Sequence, residues 1–239
     1  MVIVENMIAS VLQAGRRSLS LAHRSRLRAG LIAVTLVCIA CAVAIDKPVA
    51  LFLHSWLDED MRAIFHLTSK IGEGYVWYGG GLAALLAAWL GRRRCRLATV
   101  EALWERIHYA ALFFLGANLL ASLTVPLIKL VIGRQRPRFL FKEGLYGFSP
   151  FTFRFGDVCF PSGHTQTIVT AMVALAFILP DRRVILPMAG LALLVGASRI
   201  LVGAHYVGDV LMGAYVGAAA AVLVHRLFVR RGWSVRLIG

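Results

Sequence analysis

Residues 109–128 read YAALFFLGANLLASLTVPLI, twenty residues without a charged side chain. A helix needs about 20 apolar residues to cross the hydrocarbon core of a bilayer, so this run predicts a transmembrane helix. Five shorter apolar runs accompany it along the chain, at 29–45, 75–91, 165–180, 184–198 and 210–224. Together they predict an all-α, polytopic membrane bundle of six transmembrane helices. Short spans are tolerated where the helices enclose a polar site inside the bundle.

The composition also favours a membrane protein. Of the 239 residues, 59% are hydrophobic and only 16% are charged, whereas a soluble domain carries about 25% charged residues. The formal net charge of +14 would also suit a nucleic-acid-binding protein. The cations, however, gather in short clusters between the apolar runs, as they do in the cytoplasmic loops of membrane proteins. We therefore expect no nucleic-acid partner.

The basic clusters predict an orientation. They lie before the first apolar run, between the second and third, between the fourth and fifth, and after the last. These segments share one side of the membrane, which is the cytoplasmic side by the positive-inside rule. We expect a multi-pass protein of a bacterial inner (plasma) membrane, with a basic cytoplasmic segment at 1–28, a six-helix membrane domain at 29–225 and a basic cytoplasmic tail at 226–239.

The two longer segments on the opposite, periplasmic side differ in charge. Residues 46–74 include three consecutive acidic residues and predict an interfacial amphipathic stretch. The loop at 131–163 is basic although it faces outward, which breaks the positive-inside rule. Its cations are the following five: Arg134, Arg136, Arg138, Lys142 and Arg154. An outward loop with this charge predicts that an anion binds on the periplasmic face.

Polar residues form three clusters on that side: KLVIGRQRP at 129–137, PSGH at 161–164 and SRILVGAHYVGD at 198–209. Lys129 and Arg136 could hold one anion, the lysine as a point charge and the arginine as a two-pronged donor. Ser162 is a favoured residue for a helix N-cap, and the Gly163 backbone could approach a ligand closely. A helix start offers free N–H groups and the positive end of the helix dipole to an anion.

The third cluster supplies a candidate nucleophile. His205 and Asp209 stand four residues apart and would share a face of a helix. The carboxylate could then hold one ring nitrogen and leave the other free to attack. Cations around a phosphoryl group, one attacking histidine and a second that protonates the leaving oxygen suit phosphoryl transfer without a metal. We expect the three clusters to converge, with the imidazole of His205 within about a nanometre of the Arg136 guanidinium.

These clusters resemble the three-part signature of the type 2 phosphatidic acid phosphatase superfamily, which is related to vanadium-dependent haloperoxidases. That signature is Lys, six residues, Arg-Pro; then Pro-Ser-Gly-His; then Ser-Arg, five residues, His, three residues, Asp. The resemblance implies that His205 is the nucleophile and forms a phosphohistidine, that Asp209 orients it, and that His164 protonates the leaving alcohol. It further implies a set of residues that bind the phosphoryl oxygens: Lys129, Arg136, Ser162, Gly163 and Arg199.

Four cations of the loop lie outside the signature and are candidate contacts for an anionic lipid headgroup: Arg134, Arg138, Lys142 and Arg154. The loop is also rich in aromatic residues: Phe151 to Phe155 alternate as in a strand that lies on acyl chains, or the rings form an ordinary aromatic belt at the membrane interface. The spacing of the cysteines and of the other histidines fits neither a zinc site nor a disulfide framework. We expect no metal, no cofactor and no obligate protein partner.

The resemblance implies a lipid phosphatase that hydrolyses a phosphate monoester, or a diphosphate, of a membrane lipid. Lipid A, phosphatidylglycerol phosphate, phosphatidic acid and undecaprenyl diphosphate are candidate substrates, and the basic, aromatic loop favours lipid A. One alternative is a lipid phosphotransferase that uses the same histidine. Another is a proton-coupled transporter, which predicts charges spread through the membrane depth and an inverted repeat. Glycines at 79–81 and at 213 and 217 predict close helix packing.

Overall fold

The computed structural model describes residues 25–94 and 98–237. These residues form eight helices: α1 (Ser25–Trp56), α2 (Glu59–Ser69), α3 (Gly74–Arg94), α4 (Ala98–Ile132), α5 (Pro137–Glu143), α6 (Gly163–Ile178), α7 (Arg182–Leu201) and α8 (Val207–Arg230). A short 3-10 turn at Lys70–Gly72 joins α2 to α3. The described residues contain no β-strand and only two isolated bridges, so the all-α prediction is confirmed.

Four of the eight helices in the described residues are long and apolar enough to cross a membrane by length and composition: α1, α4, α7 and α8. The α6 helix is apolar but has only 16 residues, and α3 combines its glycines with three arginines in the last turn. The transmembrane character is supported, while the count of six spans stays a prediction. Five of the six helices predicted from the apolar runs extend beyond their run, because backbone hydrogen bonding continues where the first charged side chains lower the hydropathy; α6 instead ends at Ile178, two residues before its run does.

The α1 helix departs furthest from the prediction. Its apolar run ends at Ile45, but the helix continues to Trp56 through a π turn at Cys41–Ile45. Pro48 explains the irregularity, because it has no N–H and its ring excludes the carbonyl four residues earlier. As a result Asp46, expected outside the bundle, is only 1% exposed. The rest of the predicted amphipathic stretch forms α2, which is capped by the Asp58 side chain.

The α6 helix lies at the centre of the bundle, where it packs against α8, α7 and α4. Two glycines of α8 allow this approach: a Cβ atom on Gly213 would lie 2.5 Å from the Ser162 carbonyl oxygen, and one on Gly217 would lie 2.5 Å from that of Gln166. The prediction of close packing is confirmed for this pair. In α3 it is confirmed for Gly81, where a Cβ would lie 2.7 Å from Cδ2 of Leu115, and wrong for Gly79 and Gly80, which have nothing within 4 Å of a built Cβ.

Gly213→Ala should lower the free energy of unfolding by about 1–3 kcal/mol, the usual cost of forcing a group into a packed core. The clash is with backbone, which cannot rotate away. Gly190→Ala in α7 is the matched control, because nothing lies within 4 Å of its built Cβ, and it should be neutral or stabilising. Thermal unfolding of both variants in detergent checks this, and equal midpoints would contradict the packing argument.

The ends of the chain extend the bundle. The α8 helix continues into the predicted tail as far as Arg230. The following segment folds back, since the Leu237 N–H donates to the Ile178 carbonyl at 3.0 Å and Val235 is buried. Residues 1–24, which make up most of the predicted basic N-terminal segment, lie outside the described residues.

Candidate active site

The three sequence clusters meet at one end of the bundle, where α4 ends and α6 and α8 begin. The Ser162 N–H donates to the Asp209 carbonyl at 2.9 Å, which joins the second cluster to the third. Nη1 of Arg136 lies 3.5 Å from the carbonyl oxygen of Ala204, beside His205. The expected convergence of the first cluster on the candidate nucleophile is therefore present in the structure.

His205 lies in the short connection between α7 and α8. The N–H groups of Ala204 and His205 both donate to the Arg199 carbonyl at 3.1 Å, and Gly203 makes the turn with a φ of +68°. Only glycine adopts this backbone conformation readily. The last turn of α7 thus fixes the main chain of the histidine, whose side chain is 3% exposed.

Asp209 holds the histidine from the first turn of α8. Its Oδ2 accepts the N–H of Tyr206, the N-cap residue, at 2.9 Å and lies 3.4 Å from Nδ1 of His205. The contact is close, but Nδ1 makes no well-aligned hydrogen bond with any described residue. His205 precedes α8, so the two side chains meet because the aspartate turns back toward the helix start. The helical face predicted from their spacing is not the cause.

The buried position of His205 sets its charge. Burial lowers the pKa of this imidazole to about 4, and the neighbouring cations Arg136 and Arg199 lower it further while Asp209 opposes them. Burial in an apolar environment disfavours the charged form of a histidine. Near neutral pH the imidazole is therefore uncharged, which is the form that can act as a nucleophile.

Three cations cluster at this end of the bundle: Lys129, Arg136 and Arg199. None forms an ion pair within the part of the chain that the structure describes. The charges lie near one another, since Lys129 interacts electrostatically with both arginines. Nε of Arg136 and Nε of Arg199 are buried and have no hydrogen-bond partner among the described residues. Buried donors of like charge without partners are arranged to receive an anion.

Ser162, Gly163 and His164 form the start of α6 beside these cations. The Ser162 side chain caps the helix and accepts from the Thr165 N–H at 3.5 Å and from the Thr165 hydroxyl at 2.9 Å. The first N–H groups of a helix have no partner within it and are available to an anion. His164 interacts electrostatically with His205, Arg136 and Arg199.

A cleft of about 450 Å³ opens beside His164, between the starts of α3 and α6 and the middle of α4. Its lining includes Glu73, Tyr75 and Ser122. Glu73 of this lining interacts electrostatically with Arg199, and His164 of the lining interacts with His205, so the cleft adjoins the candidate site.

Arg134 lies elsewhere than expected. It is buried, with 3% of its surface exposed, and its guanidinium bridges two carboxylates, 2.9 Å from Oδ1 of Asp209 and 2.8 Å from Oδ2 of Asp46. Burial opposes its charge, but the two carboxylates outweigh burial and raise its pKa. The expectation that Arg134 contacts a lipid headgroup is therefore not met, because the side chain turns inward at Gly133, where φ is +62°.

The other three candidate headgroup contacts, Arg138, Lys142 and Arg154, are exposed. Arg138 pairs with Asp157 on the surface, and the other two cations form no ion pair among the described residues. The loop around Phe151 and Phe153 forms turns instead of the alternating strand that the sequence suggested, and both rings are largely exposed. The headgroup role of these three cations stays a prediction.

One group of possible metal ligands occurs among the described residues: atoms of Cys159, His205 and Asp209 lie within 4.8 Å of one another. Their chemistry does not favour a metal. Burial raises the pKa of the Cys159 thiol well above its usual value, whereas a metal binds the thiolate. Asp209 is already paired with Arg134. The expectation of a metal-free site rests on this donor chemistry and is open to the chelator test proposed below.

Four residues near the site were not singled out from the sequence, although the last lies within the third cluster: Asp46, Ser69, Tyr146 and Tyr206. The Ser69 hydroxyl accepts from Nη1 of Arg199 at 2.8 Å, and the Tyr146 hydroxyl accepts from Nη2 of Arg134 at 2.8 Å. The guanidinium of Arg134 lies 4.2 Å from the centre of the Tyr206 ring. An acidic residue directly after an apolar run was the one available sign for Asp46.

Two curated relatives share part of the sequence. The chain is 35% identical over 137 residues to a lipid A 1-phosphatase of Rhizobium johnstonii. The aligned residues make up 57% of this chain and 54% of the relative. It is 33% identical over 117 residues to a lipid A 1-phosphatase of Rhizobium etli, and this alignment covers 49% of the chain and 50% of the relative. The chain thus matches about half the length of these relatives.

Two crystal structures share the fold. Aquifex aeolicus LpxE superposes with a TM-score of 0.54 at 19% identity, over 77% of this chain and 96% of that one. A PAP2-type phosphatidylglycerolphosphate phosphatase of Bacillus subtilis superposes with a TM-score of 0.54 at 21% identity, over 83% of this chain and 96% of that one. The family model of the PAP2 superfamily matches residues 110–233, more than half of the chain, and so the chain belongs to the PAP2 superfamily.

Proposed function

We propose that the protein is a membrane lipid phosphatase that hydrolyses a phosphate monoester of a lipid through a phosphohistidine on His205. One observation carries the proposal: three cations that form no ion pair among the described residues cluster near a buried, uncharged imidazole that lies against Asp209. A tetrahedral dianion satisfies those cations, and its phosphorus would then face the imidazole. The two relatives named lipid A 1-phosphatases support the same class of reaction.

The reaction proceeds in two displacements. Nε2 of His205 attacks phosphorus, the bond between phosphorus and the lipid oxygen breaks, and His164 donates a proton to that oxygen. Water then attacks the phosphohistidine, gives a proton to His164, and releases inorganic phosphate while the imidazole is restored. Lys129, Arg136 and Arg199 stabilise the charge on the phosphoryl oxygens in both steps, which is the main source of rate acceleration in such sites.

Asp209 supports both displacements without a proton transfer of its own. Its carboxylate keeps the Nδ1 side of the imidazole occupied, so that Nε2 carries the lone pair that attacks. When the ring gains positive charge in the phosphohistidine, the nearby carboxylate stabilises it. Its interaction with Arg134 keeps Asp209 ionised although it is fully buried.

We further propose lipid A as the substrate, ahead of phosphatidylglycerol phosphate, phosphatidic acid and undecaprenyl diphosphate. The exposed cations Arg138, Lys142 and Arg154 suit a large headgroup with more than one negative charge. The neighbouring exposed rings of Phe151 and Phe153 suit its acyl chains. The names of the two Rhizobium relatives point in the same direction.

The proposed location is the inner membrane, with the active site on the periplasmic face and the termini in the cytoplasm. The site lies where α4 ends and where α6 and α8 begin. The basic clusters lie at the opposite helix ends, with Arg94 closing α3, Arg182 opening α7 and Arg230 closing α8. The positive-inside rule assigns those ends to the cytoplasm and so supports a periplasmic site.

Phosphate release from a lipid panel in excess chelator tests the proposal. The purified protein should release phosphate from lipid A with the highest kcat/KM of the panel, and the rate with EDTA should equal the rate without it. Adding a lipid alcohol should leave free phosphate as the product, which separates hydrolysis from transfer. Loss of activity in EDTA that a divalent cation restores would contradict the metal-free mechanism. Release from no lipid would contradict the function.

A further inference from the structure

Arg134 is the centre of a buried chain of charged groups that ends at the nucleophile. Asp46, Arg134 and Asp209 are all at most 3% exposed. Nη1 of the guanidinium pairs with Oδ1 of Asp209, and Nη2 pairs with Asp46. The other oxygen of Asp209, Oδ2, faces His205. Both oxygens of the Asp209 carboxylate are thereby assigned, so Arg134 fixes the plane in which it meets the imidazole.

Asp46 holds the other side of this guanidinium. Its Oδ1 accepts the Gly208 N–H at 3.2 Å, and its Oδ2 lies 2.8 Å from Nη2 of Arg134. The second contact is an ion pair without hydrogen-bond alignment. The approach depends on the glycine, since a Cβ on Gly208 would lie 3.1 Å from Oδ2 of Asp46 and 3.5 Å from Nη1 of Arg134. The contacts of both Asp46 oxygens therefore fix the position of this buried carboxylate relative to Arg134 and the start of α8.

The π turn of α1 brings Asp46 to this position and is itself tied to Arg134. The Tyr146 hydroxyl donates to the carbonyl of Ala42, inside the π turn, at 2.6 Å and accepts from Nη2 of Arg134 at 2.8 Å. π turns often occur at functional sites. Here the tyrosine hydroxyl binds a carbonyl of the turn, and Asp46, which directly follows the turn, contacts the start of α8.

The charges of this chain suit the reaction. Two carboxylates around one guanidinium leave one net negative charge behind an imidazole that becomes positive when it attacks phosphorus. Arg134 and Asp209 alone would form a neutral pair. Asp46 therefore supplies the excess negative charge that stabilises the phosphohistidine from behind, in a buried site where electrostatic interactions are strong.

We propose that Asp46 and Arg134 are positioning residues that act on the nucleophile through Asp209. The first helix, which lies outside the residues 110–233 that match the family, is then part of the catalytic unit. This inference rests on the proposed function, since it requires His205 to react. It adds to that function a residue from a segment that no signature motif covers.

A double-mutant cycle with a lipid phosphate substrate tests the inference. Asp46→Asn keeps the shape and the acceptor for Gly208 but removes the charge, and kcat should fall about 10- to 100-fold, the usual effect of losing a residue that orients a reacting group. KM should stay within threefold, since Asp46 is not placed at the phosphate. In an Asp209→Asn background the same change should cost less than threefold, because the residue through which Asp46 acts has lost its charge.

Asp181→Asn is the matched control. Asp181 caps α7 at the opposite helix end, asparagine caps equally well, and kcat should be unchanged. If Asp46→Asn fails to fold, as judged by size-exclusion chromatography, Tyr146→Phe replaces it and should lower kcat at least threefold, at unchanged KM.

The outcomes separate the two levels of the argument. Wild-type activity that disappears in His205→Ala but is unaffected in Asp46→Asn, or in Tyr146→Phe where it is the variant tested, overturns only the inference. Equal effects of Asp46→Asn with and without the Asp209 carboxylate would also overturn it, because they indicate a purely structural role. A wild-type protein that releases no phosphate overturns the proposed function and the inference together.

Discussion

Replacing His205 with alanine should reduce kcat for phosphate release by about a thousandfold or more, the scale seen when a covalent nucleophile is removed. The imidazole is buried, uncharged near neutral pH and held by Asp209. His164, the other imidazole near the three cations, acts as the proton donor in the proposed mechanism, so we expect it not to replace the nucleophile. Initial rates on purified protein in detergent, with the lipid substrate saturating, measure the effect.

A histidine on the surface provides the control for this variant. The side chain of His66 on α2 is exposed and has no role in the proposed mechanism, so His66→Ala should retain the wild-type kcat. Both variants should elute as folded protein. Substantial phosphate release by His205→Ala, at more than a tenth of the wild-type rate, would disprove the assignment of the nucleophile.

Arg136→Lys should lower kcat/KM about a hundredfold, although the charge is kept. Nη1 of Arg136 contacts the Ala204 carbonyl and its buried Nε has no partner among the described residues, so the planar fork can hold the protein on one side and a phosphoryl oxygen on the other. Lysine provides a single point of charge and cannot do both. Losing one such donor to developing charge costs about 100- to 1000-fold in related sites.

Arg183→Lys is the matched change for this test. Arg183 is exposed at the start of α7, at the helix ends opposite the site, and its replacement should leave kcat/KM unchanged. Steady-state kinetics of the two variants on the same lipid preparation make the comparison. An Arg136→Lys protein within threefold of the wild type would show that only charge is needed at this position.

The sequence predicted the participants of the site better than the reasons for their contacts. The clusters around Lys129, Ser162 and His205 meet as expected, because each lies at a helix end on the same side of the bundle. The His205–Asp209 contact was expected from a shared helical face. It arises instead from the first turn of α8, where the carboxylate turns back to cap the Tyr206 N–H.

Arg134 shows what a single sequence could not provide. Arg134 and Arg138 lie in the same basic loop and have the same chemistry, yet one is buried and the other is on the surface. The difference depends on Asp46, a partner remote in sequence. Its position follows from a π turn that hydropathy does not reveal. A charged side chain can be buried when an oppositely charged partner is buried with it. A partner that is distant in the sequence leaves no periodic pattern of hydropathy from which its position could be predicted.

Helix lengths were underestimated for a related reason. Hydropathy falls at the first charged residue, so the apolar run of α1 stops at Ile45, whereas the hydrogen-bonded helix reaches Trp56. The residues beyond the run are the ones that carry Asp46 into the site. In this bundle the functional groups lie at the polar helix ends, where hydropathy is least informative.

The covalent intermediate gives the most direct test of the central claim. The wild-type protein, mixed rapidly with lipid A and quenched in alkali during the first turnover, should carry one phosphoryl group, which mass spectrometry of its peptides should locate on His205. The modification should disappear as free phosphate appears. Phosphorylation of a different residue, or a full first turnover without any phosphorylated His205, would contradict the account.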